Sequence, residues 1–202
     1  MEKYVRDAII LWATIVPIST LLVFVAITGD RSSDERNRIA LRATLLATLV
    51  LLVSIVLGQL LLTAMGISML AFQVAGGIIL FLFAIRLVFA NLVDPSWISA
   101  HEAHDIAIFP LAIPTIATPG AILAVIVLTD SHLYTPAVQI GTAAITLLIL
   151  GPTYLAMRFA SSVLHLNRKE GSELLVRVTG LILAALSVQL VLDAIRTTGW
   201  PT

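Results

Sequence analysis

The sequence predicts an all-α polytopic membrane protein, with six transmembrane helices arranged as two inverted three-helix repeats and with helices 1 and 4 broken. Three observations lead there. Apolar residues make up 59% of the 202-residue chain and charged residues 12%, with a mean hydropathy of +1.03, far from the composition of soluble domains. Uncharged runs long enough to cross a bilayer recur along the chain, and prolines fall inside two of them at corresponding places in the two halves.

About 20 apolar residues, each rising 1.5 Å, cover the ~30 Å of bilayer hydrocarbon. Residues 8–28 make one crossing. Glu2 and Asp7 cancel the basic start of Lys3 and Arg6, and no small-residue cleavage site precedes the polar loop. The run therefore reads as a retained span rather than a signal peptide. Ser32-Ser-Asp-Glu35 has the spacing of a capping box opening a basic helix that continues into span two. Residues 43–85 carry no charge and hold two crossings, with a break expected between 63 and 68, where Gly66 interrupts the pattern. Residues 106–129, 135–157 and 174–195 supply the fourth, fifth and sixth spans.

Lys and Arg set the orientation. One side collects Arg31, Arg36, Arg38, Arg42, Arg86, Arg158, Arg168, Lys169 and Arg177; the other has Lys3, Arg6 and Arg196. The basic side is expected to be cytoplasmic and both termini extracytoplasmic. Residues 1–202 then form a single membrane domain with a cytoplasmic linker at about 91–105.

Displacing the chain by 104 residues sets 72–90 against 176–194. Val74, Gly76, Ile78, Leu82 and Ala90 then face identical partners, Val178, Gly180, Ile182, Leu186 and Ala194. Two ordinary spans with a packing glycine produce such matches by chance. The displacement is nevertheless about half the chain, and three spans per half must enter the membrane from opposite sides, as in the inverted repeats of secondary transporters. Repeat 1 covers about 1–92 and repeat 2 about 104–202.

The same halving pairs the first span with the fourth. Pro17 stands beside Thr14, Ser19 and Thr20; Pro114 and Pro119 stand beside Thr115 and Thr118. Proline removes a backbone donor and frees a carbonyl one turn earlier, which in lipid costs several kcal/mol unless a partner is found. A kink healed by neighbouring hydroxyls accounts for a single proline. Three prolines and a Pro119-Gly120 step within residues 110–120, echoed in the other half, favour a site for a small polar or zwitterionic solute at exposed helix ends. Pro17, Ser19, Thr20, Pro114, Thr115, Thr118, Pro119 and Gly120 are its expected lining. Gln189, an amide inside the last span, either contacts the solute or makes an interhelical hydrogen bond.

Other chemistry finds little support. Zero net charge gives no general attraction to nucleic acid, and the absence of cysteine excludes disulfides and thiolate metal sites. His101-Glu-Ala-His-Asp105 lacks the spacing of zinc hydrolases and reads as a solvated loop with Asp105 capping a helix. Arg86 and Arg177 lie close enough to the boundary to snorkel, Gln59 and Gln73 lie near helix ends, and Asp193 is expected to pair with Arg196 at the surface. With no Ser/His/Asp constellation, phosphate loop or paired carboxylates in the membrane, an enzyme is not expected. Neither is a cofactor or a resident metal. A coupling ion, Na+ or H+, is compatible with the freed carbonyls but is not legible.

Asp105-Ile-Ala-Ile-Phe-Pro-Leu-Ala-Ile-Pro114 and the following Pro119-Gly-Ala-Ile122 resemble the signature of the MarC family of bacterial inner-membrane proteins. Ser32-Ser-Asp-Glu-Arg36, Ala75-Gly-Gly-Ile-Ile-Leu-Phe-Leu82 and Arg177-Val-Thr-Gly-Leu-Ile-Leu-Ala184 leading to Val188-Gln189 agree, in the right order over nearly the whole chain. The resemblance implies six spans in two inverted repeats and transport of small neutral amino acids. Two positions depart from it. The family's first span carries Asn-Pro-x-Gly where this chain has Val16-Pro17-Ile18-Ser19, and a glycine common before the second Pro-Gly is Thr118 here. The lost amide leaves substrate and coupling ion open.

The expectation is a secondary transporter in the bacterial inner membrane, with the lipid bilayer and a small neutral solute as partners and oligomeric state open. A passive channel and a non-transporting interaction or stress-related protein are the alternatives.

Overall fold

The computed structural model describes residues 2–29, 31–89, 106–160 and 169–196, and every regular element among them is helical. In chain order these are α1 (Glu2–Ile15), α2 (Pro17–Thr28), α3 (Ser33–Ala64), α4 (Met69–Phe89), α5 (Ala107–Ile116, wound as a π-helix), α6 (Pro119–Leu128), α7 (Pro136–Arg158) and α8 (Lys169–Arg196). The sequence of an interrupted helix followed by two longer ones occurs twice. The linker at 91–105, with its His101-Glu-Ala-His-Asp105 stretch, lies outside the described residues.

Local chemistry explains where the elements start and stop. Pro17, Pro119 and Pro136 each open a helix, where the ring's fixed φ fits and the N–H would have no acceptor within that helix. Ser32 and Glu35 form the expected capping box at the head of α3. One turn later Arg36 reaches back to close α2, donating from Nε to the Thr28 carbonyl at 3.0 Å and from Nη2 to the Gly29 carbonyl at 2.8 Å. The connection between α3 and α4 falls where Gly66 predicts it, and Gly66 adopts φ 68°, a left-handed turn that glycine enters without strain.

α3 (32 residues) and α7 (23 residues) are long and apolar enough to cross a bilayer by length and composition. α3 is polarised in an unusual direction. Ala40, Ala43, Ala47, Leu51 and Gly58 face inward, while Leu45, Leu49, Val53, Val56 and Leu60 are exposed. A soluble helix buries its large apolar residues. Small residues inside and bulky ones outside are the pattern of helices that associate by close backbone approach with apolar solvent around them.

α4 and α8 share the most extensive interface among the described residues, and there a glycine meets the partner helix's backbone. A Cβ at Gly77 would lie 2.7 Å from Val191 Cγ2 and 3.1 Å from the Ser187 carbonyl, so the glycine is what lets the two backbones meet. α6 is the buried axis of the rest. Gly120, Ala121, Leu123, Ala124, Val125, Ile126 and Leu128 are all buried, against α1, α3, α4 and α7. The main core includes Leu11, Ile15, Leu51, Leu111, Ile116, Val125 and Leu150; a smaller cluster joins Ala13 and Val16 to Leu80, Ala84 and Leu183.

Candidate functional site

The first helix break is made by Val16 and Pro17. α1 stops at Ile15, and Val16 takes φ 51° and ψ 64°, the left-handed region that a β-branched side chain rarely enters, at a cost of about 1–2 kcal/mol. Pro17 has no N–H, so the carbonyl of Ala13 loses its helical donor. The chain recovers quickly, with the Thr20 N–H bonded to the Val16 carbonyl at 3.1 Å.

The second break is built differently. α5 is wound with five-residue spacing, and the Ala117 N–H closes it on the Ala112 carbonyl at 2.9 Å. Thr118 is extended and caps α6, its Oγ1 accepting from the Ala121 N–H at 2.9 Å. Pro119 then opens α6, its fixed φ suiting the first helical position.

The two breaks serve each other. Thr118 Oγ1 donates to the Thr14 carbonyl at 2.7 Å, and Thr20 Oγ1 donates to the Thr115 carbonyl at 3.3 Å, sharing its proton with Val16 O at the same distance. Thr14, Thr20 and Thr118 are at most 1% exposed, so these bonds are made away from solvent, where an unpaired carbonyl is costly.

Of the residues expected to line a site, Pro17, Thr20, Thr115 and Thr118 meet at this junction, with Gly120 buried beside it against Leu80 and Pro119 exposed. The side chains of Ser19 and Pro114 lie outside the described residues. Gln189 does not join them. It is exposed and donates to Asp193 Oδ1 at 2.7 Å along α8. At the junction Thr14, Thr20 and Thr118 are closed off from solvent, and a separate cavity of about 460 Å³ is lined by Glu2, Val5, Arg6, Ile9 and Ile10 of α1.

Two polar groups escaped the sequence reading. Asp7 is fully buried; its Oδ2 accepts from Lys3 Nζ and from Thr142 Oγ1 (2.7 Å), and its Oδ1 has no partner. Asp130, 6% exposed just beyond α6, accepts from the side chain of Gln59, from the His132 N–H at 2.8 Å and lies 3.0 Å from His132 Nδ1. Gln59 Oε1 in turn accepts from the Ser131 N–H at 2.6 Å. Burial pushes Asp130 up, but the bonds from Gln59 and His132 outweigh it and hold the carboxyl below its ordinary value. The signals available were faint: an i,i+4 Lys–Asp pair at the head of a span, and an amide near a helix end. Among the described residues no cluster of three His, Asp or Glu could hold a metal.

Residues 1–198 match the family described as MarC family integral membrane protein. The chain belongs to the MarC family. It is thus an integral membrane protein, which accounts for the bulky apolar residues on its outer surface. A UPF0056 membrane protein of Methanocaldococcus jannaschii is 35% identical over 188 residues, 89% of each chain. A UPF0056 membrane protein of Aquifex aeolicus is 31% identical over 199 residues, 96% of this chain and 92% of the relative. The UPF0056 inner membrane protein YhgN of Escherichia coli is 34% identical over 198 residues, 97% and 98% of the two chains. No solved structure matches the chain.

Both departures from the MarC pattern fall on the breaks. Val16, where the resemblance expects asparagine, occupies a left-handed position that asparagine tolerates better than valine. Thr118, where the resemblance expects glycine, supplies the hydroxyl bonded to Thr14, a bond glycine could not make.

Proposed function

We propose that this MarC protein is a secondary transporter of small neutral amino acids, built as six spans in two inverted three-helix repeats, with both termini on the extracytoplasmic face of the inner membrane. Its solute site lies between the two helix breaks. The observation that carries this reading is the reciprocal pair of hydroxyl bonds, Thr118 to the Thr14 carbonyl and Thr20 to the Thr115 carbonyl.

The chemistry follows from those four groups. A zwitterion needs acceptors for its ammonium and donors for its carboxylate. The carbonyls of Thr14 and Thr115 are acceptors; the hydroxyls of Thr20 and Thr118 and the N-terminal amides of α6, at the positive end of its dipole, are donors. In the closed form these donors and acceptors satisfy one another. Exchanging a protein–protein hydrogen bond for a protein–solute one shifts the equilibrium by no more than about 0.5–1.5 kcal/mol per bond, so the open, solute-bound junction stays close in free energy to the closed one. Rocking of one repeat against the other would then present the site to each side in turn.

The repeated order of elements, the α4–α8 pairing and the alignment at 104 residues support the two-repeat reading. No enzymatic step, cofactor or resident metal is needed for it. Uptake of labelled glycine, alanine and serine into proteoliposomes tests the proposal against empty vesicles. Saturable uptake with counterflow is expected; unsaturable flux would make the protein a channel, and no flux from folded protein would overturn transport altogether.

A further inference from the structure

α1 and α6 run antiparallel and are tied at both ends. At one end Thr118 meets Thr14; at the other Lys3 Nζ donates to the carbonyl of Leu128 at 3.2 Å. The second tie contains the buried carboxylate described above. Lys3 Nζ also donates to Asp7 Oδ2 and, at 3.1 Å, to Thr142 Oγ1, so its ammonium rests on a carboxylate, a hydroxyl and a helix-terminal carbonyl. Leu128 is the last residue of α6, where the carbonyls lack helical donors and the helix dipole is negative. Those three oxygens are the donor set of a monovalent cation site.

Asp7 Oδ1 marks the place as more than a salt bridge. It is buried without a hydrogen-bond partner, and a carboxylate oxygen in that condition is costly unless a proton or cation visits it. The two side chains also differ in access. Asp7 is 0% exposed and Lys3 19%, so Lys3 can swing out while Asp7 stays in the protein.

We infer that Asp7, Thr142 and the Leu128 carbonyl form the coupling-cation site of the transporter, occupied in the closed form by the tethered ammonium of Lys3. This rests on the transport reading above. A proton or Na+ at Asp7 competes with Lys3, frees it from Leu128, and so loosens α1 from α6 at the end opposite the breaks. About ten residues of helix, ~15 Å, connect the two ends, and rigid helices carry the change.

The charged groups around Asp7 are few. α1 supplies Lys3, Glu2 and Arg6; α7 supplies Thr142 and no nearby charge; α6 supplies the Leu128 carbonyl. Tyr134 covers Lys3 with its ring 4.2 Å away and accepts from Arg6 at 3.2 Å. α8, which also packs on α1, carries Asp193 bonded to Gln189 and an exposed Arg196, and Asp130 is held by Gln59 and His132.

The test compares wild type with Asp7→Asn in proteoliposomes. Counterflow of labelled alanine without any ion gradient is measured first, then accumulation driven by an inward proton gradient or an inward Na+ gradient. Wild type is expected to accumulate alanine under one gradient, which names the cation. Asp7→Asn is expected to exchange alanine but to lose accumulation. Accumulation by Asp7→Asn equal to wild type, or wild-type accumulation indifferent to both gradients, overturns the inference and leaves transport standing; absence of wild-type counterflow overturns the transport reading instead. Should Asp7→Asn fail to fold, Thr142→Val keeps the carboxylate and is expected to shift the cation dependence of uptake to higher concentration. An unshifted dependence again overturns the inference.

Discussion

The hydroxyl of Thr118 lies 2.7 Å from the carbonyl of Thr14, and the two residues are 104 positions apart, the displacement that also aligns 72–90 with 176–194. Each threonine stands beside a proline break, and the bond joins the breaks directly. Thr118→Val removes this bond and the cap on Ala121 together. It is expected to destabilise the protein by about 1–3 kcal/mol, whereas Thr118→Ser keeps both bonds and costs less. Thermal melting in detergent should rank wild type first, serine second and valine last; valine equal to wild type would show that the bond contributes nothing.

Gly77 sets the distance between α4 and α8. Alanine there meets Val191 Cγ2 at 2.7 Å and the Ser187 carbonyl at 3.1 Å, and the second contact, being backbone, cannot rotate away. Gly77→Ala is expected to cost about 1–3 kcal/mol as overpacking. At Gly151 an added Cβ meets nothing within 4 Å, so Gly151→Ala is the control and should not lower the melting temperature. Equal melting of Gly77→Ala and Gly151→Ala would contradict the close approach.

Asp130 predicts a pH dependence with a definite sign. Its carboxyl is held below the ordinary value of 3.8, so its contribution is fully present above that value and is lost as pH falls through the folded-state value beneath it. Gln59→Leu removes a donor to Asp130 and the acceptor for Ser131. The melting difference between wild type and Gln59→Leu should be largest near neutrality and shrink in acid. A difference that grew on acidification would reverse the assigned sign.

Topology can be read cleanly because the chain has no cysteine. Single cysteines at Asp34, in the first turn of α3, and at Ser131, beyond α6, are exposed positions that the six-span reading places on opposite faces. Ser131→Cys should react with an impermeant maleimide on intact cells, and Asp34→Cys only after permeabilisation. Labelling of both from outside would break the proposed arrangement.

Much of the helical framework was legible because its causes are local. Run length located the elements, Gly66 the α3–α4 turn, Ser32 and Glu35 the start of α3, and Pro17 and Pro119 the two interruptions. The π winding of α5 and the left-handed Val16 were not, since neither a winding nor a strained φ has a compositional signature. The repeat alignment drew attention to Gly76, yet Gly77 is the residue against the backbone of α8, because helix rotation decides which of two neighbouring glycines faces a partner. Asp7 read as one of four charges at the head of a span; its burial depends on Thr142 and Leu128, more than 120 residues away. Gln189 looked buried by its span but turns outward to Asp193, an orientation set by the α4–α8 interface.

The central claim is that solute binds where the two breaks meet, and counterflow of labelled alanine in proteoliposomes tests it most directly. Wild type and Thr118→Ser should exchange alanine saturably, while Thr118→Val, folded and inserted, should exchange it with a raised half-saturation concentration or not at all. Exchange by Thr118→Val that matches wild type in both rate and half-saturation would place the solute elsewhere and contradict the account.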